Sequence, residues 1–130
     1  MSDDLESLLV SGKEIDRKLV AETLSPYLRI DKETFCIRPL AIWGGLKVSV
    51  KIVLYLLARK AMIALGLALP EESASANEVV VDTGLKEGTA RPALRRLLAD
   101  GILAQTKEQR YYIPNHALEQ VKALIAGNTE

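Results

Sequence analysis

Between residues 75 and 113 the chain sets helix and turn signals so close together that few arrangements remain open to it. Ser75, Ala76, Asn77 and Glu78 fit a capping box, in which the serine hydroxyl accepts from the third helical amide and the glutamate reaches back to the serine amide. Gly84 stands where that helix must end and a left-handed residue is wanted, and Leu85 and Lys86 complete the turn. A second helix is expected over 87–100, stopped by Gly101. Residues 102–106 and 110–113 are expected to pair as two strands about Lys107, Glu108 and Gln109. Val79, Val80 and Val81 suit a strand by propensity. The capping box and the short distance to Gly84 outweigh that preference, and a helix is expected there.

On a helix over 87–100, Ala90, Leu94, Leu97 and Leu98 share one face, which anchors it. Gly88, Pro92, Arg95, Arg96 and Ala99 fall on the opposite face, with Thr89 and Arg91 on the flanks. Pro92 is an anomaly, because a proline in a helix interior lacks the N–H and costs about 3 kcal/mol. Either the first turn is distorted, or the regular helix begins at Pro92, where proline is favoured. The second option would move Thr89 and Arg91 off the outward surface.

This order of elements resembles a winged helix-turn-helix domain, the DNA-binding fold of many bacterial and archaeal transcription regulators. The resemblance is carried by Glu78-Val79-Val80, Thr83-Gly84-Leu85, Thr89-Ala90, Leu94-Arg95-Arg96-Leu97, Asp100-Gly101-Ile102-Leu103 and Tyr111-Tyr112-Ile113-Pro114. It implies a mainly α (α+β) chain: an N-terminal helix and β-hairpin extension over 1–45, then a winged-helix domain over 46–130. It also implies a recognition helix over 87–100, a wing over 103–113, and double-stranded DNA as the partner of a transcription regulator. The side chains placed to bind nucleic acid are then Lys86, Thr89, Arg91, Arg95, Arg96, Lys107 and Arg110. Long cationic forks suit bases or phosphates, and small residues allow close approach. A single module of this size buries only roughly 600–1,000 Å² of its surface on DNA, so a homodimer is expected; the N-terminal helices are candidates for that pairing, or else cap the winged domain, and both readings stand.

A plainer alternative for the arginines is a solvated helix face with local ion pairs; Arg96 and Asp100 are spaced for one. The alternative function is a winged helix used for protein interaction or assembly without DNA contact. Seventeen basic and seventeen acidic side chains cancel, so global charge gives no push toward a polyanion. The charge is unevenly placed, however. Residues 1–34 hold eight acids and five bases, whereas residues 84–114 hold six bases and three acids. Glu108 dilutes the wing. For RNA, no aromatic platform is evident.

An enzyme is not expected. One cysteine (Cys36) and one histidine (His116) supply neither a catalytic constellation nor a zinc site, and Gly44-Gly45 lacks the surroundings of a phosphate loop. No cofactor is implied. The start shows no signal-peptide pattern, and a reducing cytoplasm is the expected location.

The apolar content of 48% with few aromatics predicts an aliphatic core. Its centre is the run over 48–65. Lys51, Arg59 and Lys60 argue against a membrane span, at roughly 2.5–3.5 kcal/mol per mid-helix cation. A central helix buried on more than one face is expected instead. Upstream, Leu5, Leu8 and Leu9 stripe a short helix over 1–10 with Ser2 as its cap, and Ser11-Gly12 breaks it. A second helix runs over 15–24, ended by Pro26. Residues 27–30 and 35–38 read as short strands about Asp31 to Thr34. Pro39 and the stretch at Trp43 make a loop, with Trp43 as a buried plug. Residues 67–74 read as an exposed connector. Asn115 is placed to cap a last helix carrying Leu118, Val121, Leu124 and Ile125, and residues 128–130 are expected to fray.

Overall fold

A computed structural model describes residues 17–67 and 69–127. The expected helix over 1–10, the break after it, the first residues of the helix over 15–24 and the terminal fray lie outside the described residues. The described residues are mainly helical, with two small antiparallel sheets, an α+β arrangement.

The centre is helix α2 (Val48–Ala64). Residues 52–60 are buried without interruption, which no single apolar stripe could produce. The run has neighbours on all sides: α1 (Arg17–Leu24), α3 (Ala76–Thr83), α4 (Glu87–Ala99), α5 (Leu118–Ala126) and strand β4 (Tyr111–Tyr112). Ile52, Leu54, Leu56 and Leu57 are fully enclosed, each worth roughly 1.5–3 kcal/mol of burial. The expectation of a helix buried on several faces holds. None of the described helices is long and apolar enough to cross a membrane.

Helix α1 lays Val20 and Leu24 against α2 and ends before Pro26. Strands β1 (Leu28–Ile30) and β2 (Ile37–Pro39) follow as a hairpin, with Ile30 opposite Ile37 and Leu28 opposite Pro39. The second strand lies further along than the expected 35–38. Phe35 takes a left-handed φ of 60° and belongs to the turn. Asp31 organises that turn: its Oδ1 accepts from the amides of Glu33 (2.8 Å) and Thr34 (3.1 Å), and Arg38 Nε donates to its Oδ2 (2.9 Å). Those two amides and the guanidinium hold the Asp31 carboxyl down to about 2. Trp43 sits in a 3-10 turn over Ala41–Gly45 and is buried, as expected of a plug. It shares one continuous core with Val20, Leu24, Leu28 and the helices that follow.

Helix α3 begins at the expected capping box. Ser75 Oγ accepts from Glu78 N (3.1 Å), and Glu78 Oε1 accepts from Ser75 N (3.2 Å). Such a cap contributes about 1 kcal/mol. Gly84 closes the helix at φ 75°, and the three valines are helical despite their propensity. Helix α4 ends in a Schellman turn: Gly101 N donates to Leu98 O and Ile102 N to Leu97 O, both at 3.1 Å, with Gly101 at φ 78°. Strand β3 (Ala104–Gln105) pairs with β4, Ala104 opposite Tyr112. Both strands are shorter than expected.

Two expectations fail here. The connector is not exposed throughout: Ser73 and Ala74 are buried, and Ala74 exchanges backbone hydrogen bonds with Tyr111 at 2.9 and 2.7 Å, adding a bridge to the β3–β4 edge. Asn115 does not cap α5. It opens a 3-10 turn (Asn115–Ala117), and its Oδ1 accepts from Lys60 Nζ at 2.7 Å.

Candidate nucleic-acid interface

The turn at Gly84 delivers Lys86 as the residue before α4, and α4 then runs unbroken through Pro92. The option of a regular helix starting at Pro92 is therefore excluded. Thr89 N (3.0 Å) and Ala90 N (2.9 Å) both reach Lys86 O, so helical bonding is in place before the proline. Proline's missing amide leaves the Gly88 carbonyl without a helical donor, and both Gly88 and Pro92 are exposed, so water can serve that oxygen.

The inner face is as read from the spacing. Ala90, Leu94 and Leu97 are buried against α2 and α3, with Leu98 half-buried. Gly88, Thr89, Arg91, Pro92, Arg95, Arg96 and Ala99 are all exposed.

The seven side chains expected to meet nucleic acid divide into three groups. Lys86, Thr89, Arg95, Arg96 and Lys107 are exposed, and none of their side-chain groups finds a hydrogen-bond or ion-pair partner among the described residues. Arg96 and Asp100 do not pair. Arg91 instead donates from Nε to Glu87 Oε1 at 2.8 Å, one turn earlier. Both groups are largely in solvent, so this pair is worth only a few tenths of a kcal/mol and yields readily to another anion.

Arg110 departs from the expectation. Its side chain is 21% exposed and turns toward the connector. Nε lies 2.7 Å from Glu71 Oε1 and 3.2 Å from Ser73 Oγ; Nη1 lies 2.6 Å from Glu78 Oε1; Nη2 donates to Ser73 O at 2.7 Å. A guanidinium so fully engaged is not offered to a polyanion. Partial burial pushes the Glu78 carboxyl up, but the Arg110 hydrogen bond, the Ser75 amide and the charges of Arg110 and Arg59 outweigh it. Glu78 stays below the usual carboxylate range.

Behind this cluster lies a group that the sequence reading missed as a site. Arg59 (6% exposed) and Lys60 (4%) are adjacent cations inside the apolar helix. Arg59 donates to the carbonyls of Glu72 (Nε, 3.0 Å), Glu71 and Ser73 (Nη2, both 2.9 Å), and lies over the Tyr55 ring. Lys60 Nζ sits 2.9 Å from Glu72 Oε2, an ionic contact although not an aligned hydrogen bond. Tyr55 OH donates to Asp82 at the far end of α3; burial, and then that bond, raise the phenol above its ordinary value. One signal was legible: two cations inside the most apolar run need acids, and Glu71-Glu72 are the next acidic residues.

Gln109 turns the hairpin tip at φ 63°, and Thr106 closes it by donating to Arg110 O (2.8 Å) and accepting from Gln109 N (3.0 Å). Lys107, Glu108 and Gln109 are exposed. Among the described residues no cluster of His, Cys, Asp and Glu is arranged to hold a metal ion. Compared with protein-family models, curated proteins and solved structures, the chain matches none.

Proposed function

We propose that residues 46–130 form a winged helix-turn-helix domain that binds double-stranded DNA, with α4 as the recognition helix and the β3–β4 hairpin as the wing, in a cytoplasmic transcription regulator. The observation that carries the reading is the state of the arginines. Every other arginine of the chain meets a carboxylate or a backbone carbonyl; Arg95 and Arg96, side by side on the outer face of α4, meet neither among the described residues. Small or short neighbours (Gly88, Thr89, Ala99) leave room for close approach, and Lys86 and Lys107 are two further exposed cations.

Fluorescence anisotropy of a labelled random duplex at two salt concentrations tests this. Expected is binding with a Kd of about 10⁻⁴–10⁻⁶ M near physiological salt that tightens steeply at lower salt. No binding by micromolar protein at low salt would overturn it. That result would favour the second reading, a protein-interaction or assembly module. The withdrawal of Arg110 and the zero net charge support that alternative.

The same proposal includes a homodimer. Val20, Ala21 and Leu24 of α1 and Ala61, Ala64 and Leu65 near the end of α2 line an apolar groove of about 300 Å³, and Leu65 is 59% exposed. Pairing there would cover the groove. Wild-type protein is expected to sediment as a dimer and Leu65→Glu as a monomer. Equal masses for the two would remove this surface from the interface.

A further inference from the structure

We infer that Arg110 is a positioning residue: it fixes the orientation of the hairpin tip, with Lys107 and Gln109, relative to the connector and the start of α3, and takes no part in contact itself. The inference rests on the DNA reading for its consequence, but its physical basis is separate.

Strands β3 and β4 are two residues each. A ladder that short does not hold a hairpin in one orientation unaided. Two anchors do so. One is the Ala74–Tyr111 bridge. The other is the Arg110 guanidinium, which spans Glu71, Ser73 and Glu78 at once. Glu78 is also the capping-box acid of α3, so the tip is tied to the start of the helix that precedes α4. The tie continues inward: Arg59 holds the Glu71, Glu72 and Ser73 carbonyls, and Tyr55 reaches Asp82 at the end of α3. Hairpin, connector and both ends of α3 are thus referred to the one rigid element, α2. A planar fork with several directed donors suits this role, and an ammonium group does not.

Were Arg110 a DNA contact, removing Glu71 would free it and tighten binding. If it is a strut, Glu71→Ala loosens the tip and weakens binding, against the general trend that removing an acid favours a polyanion. Binding of the random duplex by wild type, Arg110→Gln, Glu71→Ala, Lys107→Ala and the Arg110→Gln/Lys107→Ala pair decides between these. Lys107→Ala is expected to weaken binding three- to tenfold in the wild-type background and less than twofold beside Arg110→Gln; Glu71→Ala is expected to weaken it as well. Independent, multiplying losses for Arg110→Gln and Lys107→Ala, or tighter binding by Glu71→Ala, would overturn the inference.

Amide hydrogen exchange without DNA separates this from the function itself. The amides of Thr106 and Tyr111, which bond to Arg110 O and Ala74 O, are expected to exchange at least tenfold faster in Arg110→Gln and Glu71→Ala. Unchanged exchange overturns the strut whatever the protein binds. Faster exchange in a protein that binds no duplex keeps the strut and overturns the DNA reading, and with it the contact role of the tip. Should Arg110→Gln not fold, Arg110→Lys, which keeps the charge and loses the fork, is expected to speed the same two amides.

Discussion

Replacing Arg59 with alanine is expected to lower stability by about 3–5 kcal/mol, the range for removing one member of a buried charged network. A domain of this size holds only about 5–15 kcal/mol in total, so much of the folded population is at stake. The loss has two sources. The guanidinium supplies the donors for the carbonyls of Glu71, Glu72 and Ser73, and Ser73 is itself buried, so those oxygens cannot all turn to water. The stem fills space beside the Tyr55 ring. Arg59→Met separates the two: it restores most of the volume and none of the donors, and is expected to recover roughly a third of the loss or less, since the unpaired carbonyls dominate. Urea unfolding followed by circular dichroism checks this, with the midpoint falling and the denaturant slope unchanged. A loss below about 1 kcal/mol for Arg59→Ala would mean that water reaches the connector and that the network is peripheral.

This cluster also marks where sequence reasoning stops. What was legible was local: the capping box, the left-handed glycines, the faces of α4 and the breadth of the apolar surface on α2 all follow from residues within a turn or two of one another. Ser73 and Ala74 read as exposed because the composition around them is that of a loop. Their burial is decided by Arg59, on the preceding helix, and by Tyr111 and Arg110, far along the chain. Asn115 was misread for the same reason; Lys60, 55 positions away, claims the side chain that would have capped α5. A count of charges over 84–114 treats Arg110 and Arg95 alike. Only the fold distinguishes a cation that closes on Glu71 and Glu78 from one that faces outward. Pro92 shows the converse: a local rule suggested a late helix start, and an exposed Gly88 one turn earlier removes the reason for it.

On the DNA reading, the double substitution Arg95→Ala with Arg96→Ala is expected to weaken duplex binding by about thirtyfold or more, at about 1–3 kcal/mol per lost contact. If both guanidinium groups meet phosphate, the slope of log K against log salt should become shallower by about 1.8. If one of them reads a base, the slope changes by about half that, and discrimination between duplex sequences falls instead. The pair is well suited to the test because it should leave the fold intact. Both residues are exposed, neither has a partner among the described residues, and alanine is the better helix former, so stability should move by no more than about 0.5 kcal/mol. Arg91→Ala is the internal control. Its loss also leaves Glu87 unneutralised at the start of α4, where a carboxylate opposes any approaching phosphate. Glu87→Ala should accordingly tighten binding while Arg91→Ala weakens it, each by a smaller factor than the double substitution. A salt series of anisotropy titrations on the four proteins gives affinity and slope together. Wild-type affinity and slope in the doubly substituted protein would mean that α4 does not face the nucleic acid, whatever else the chain binds.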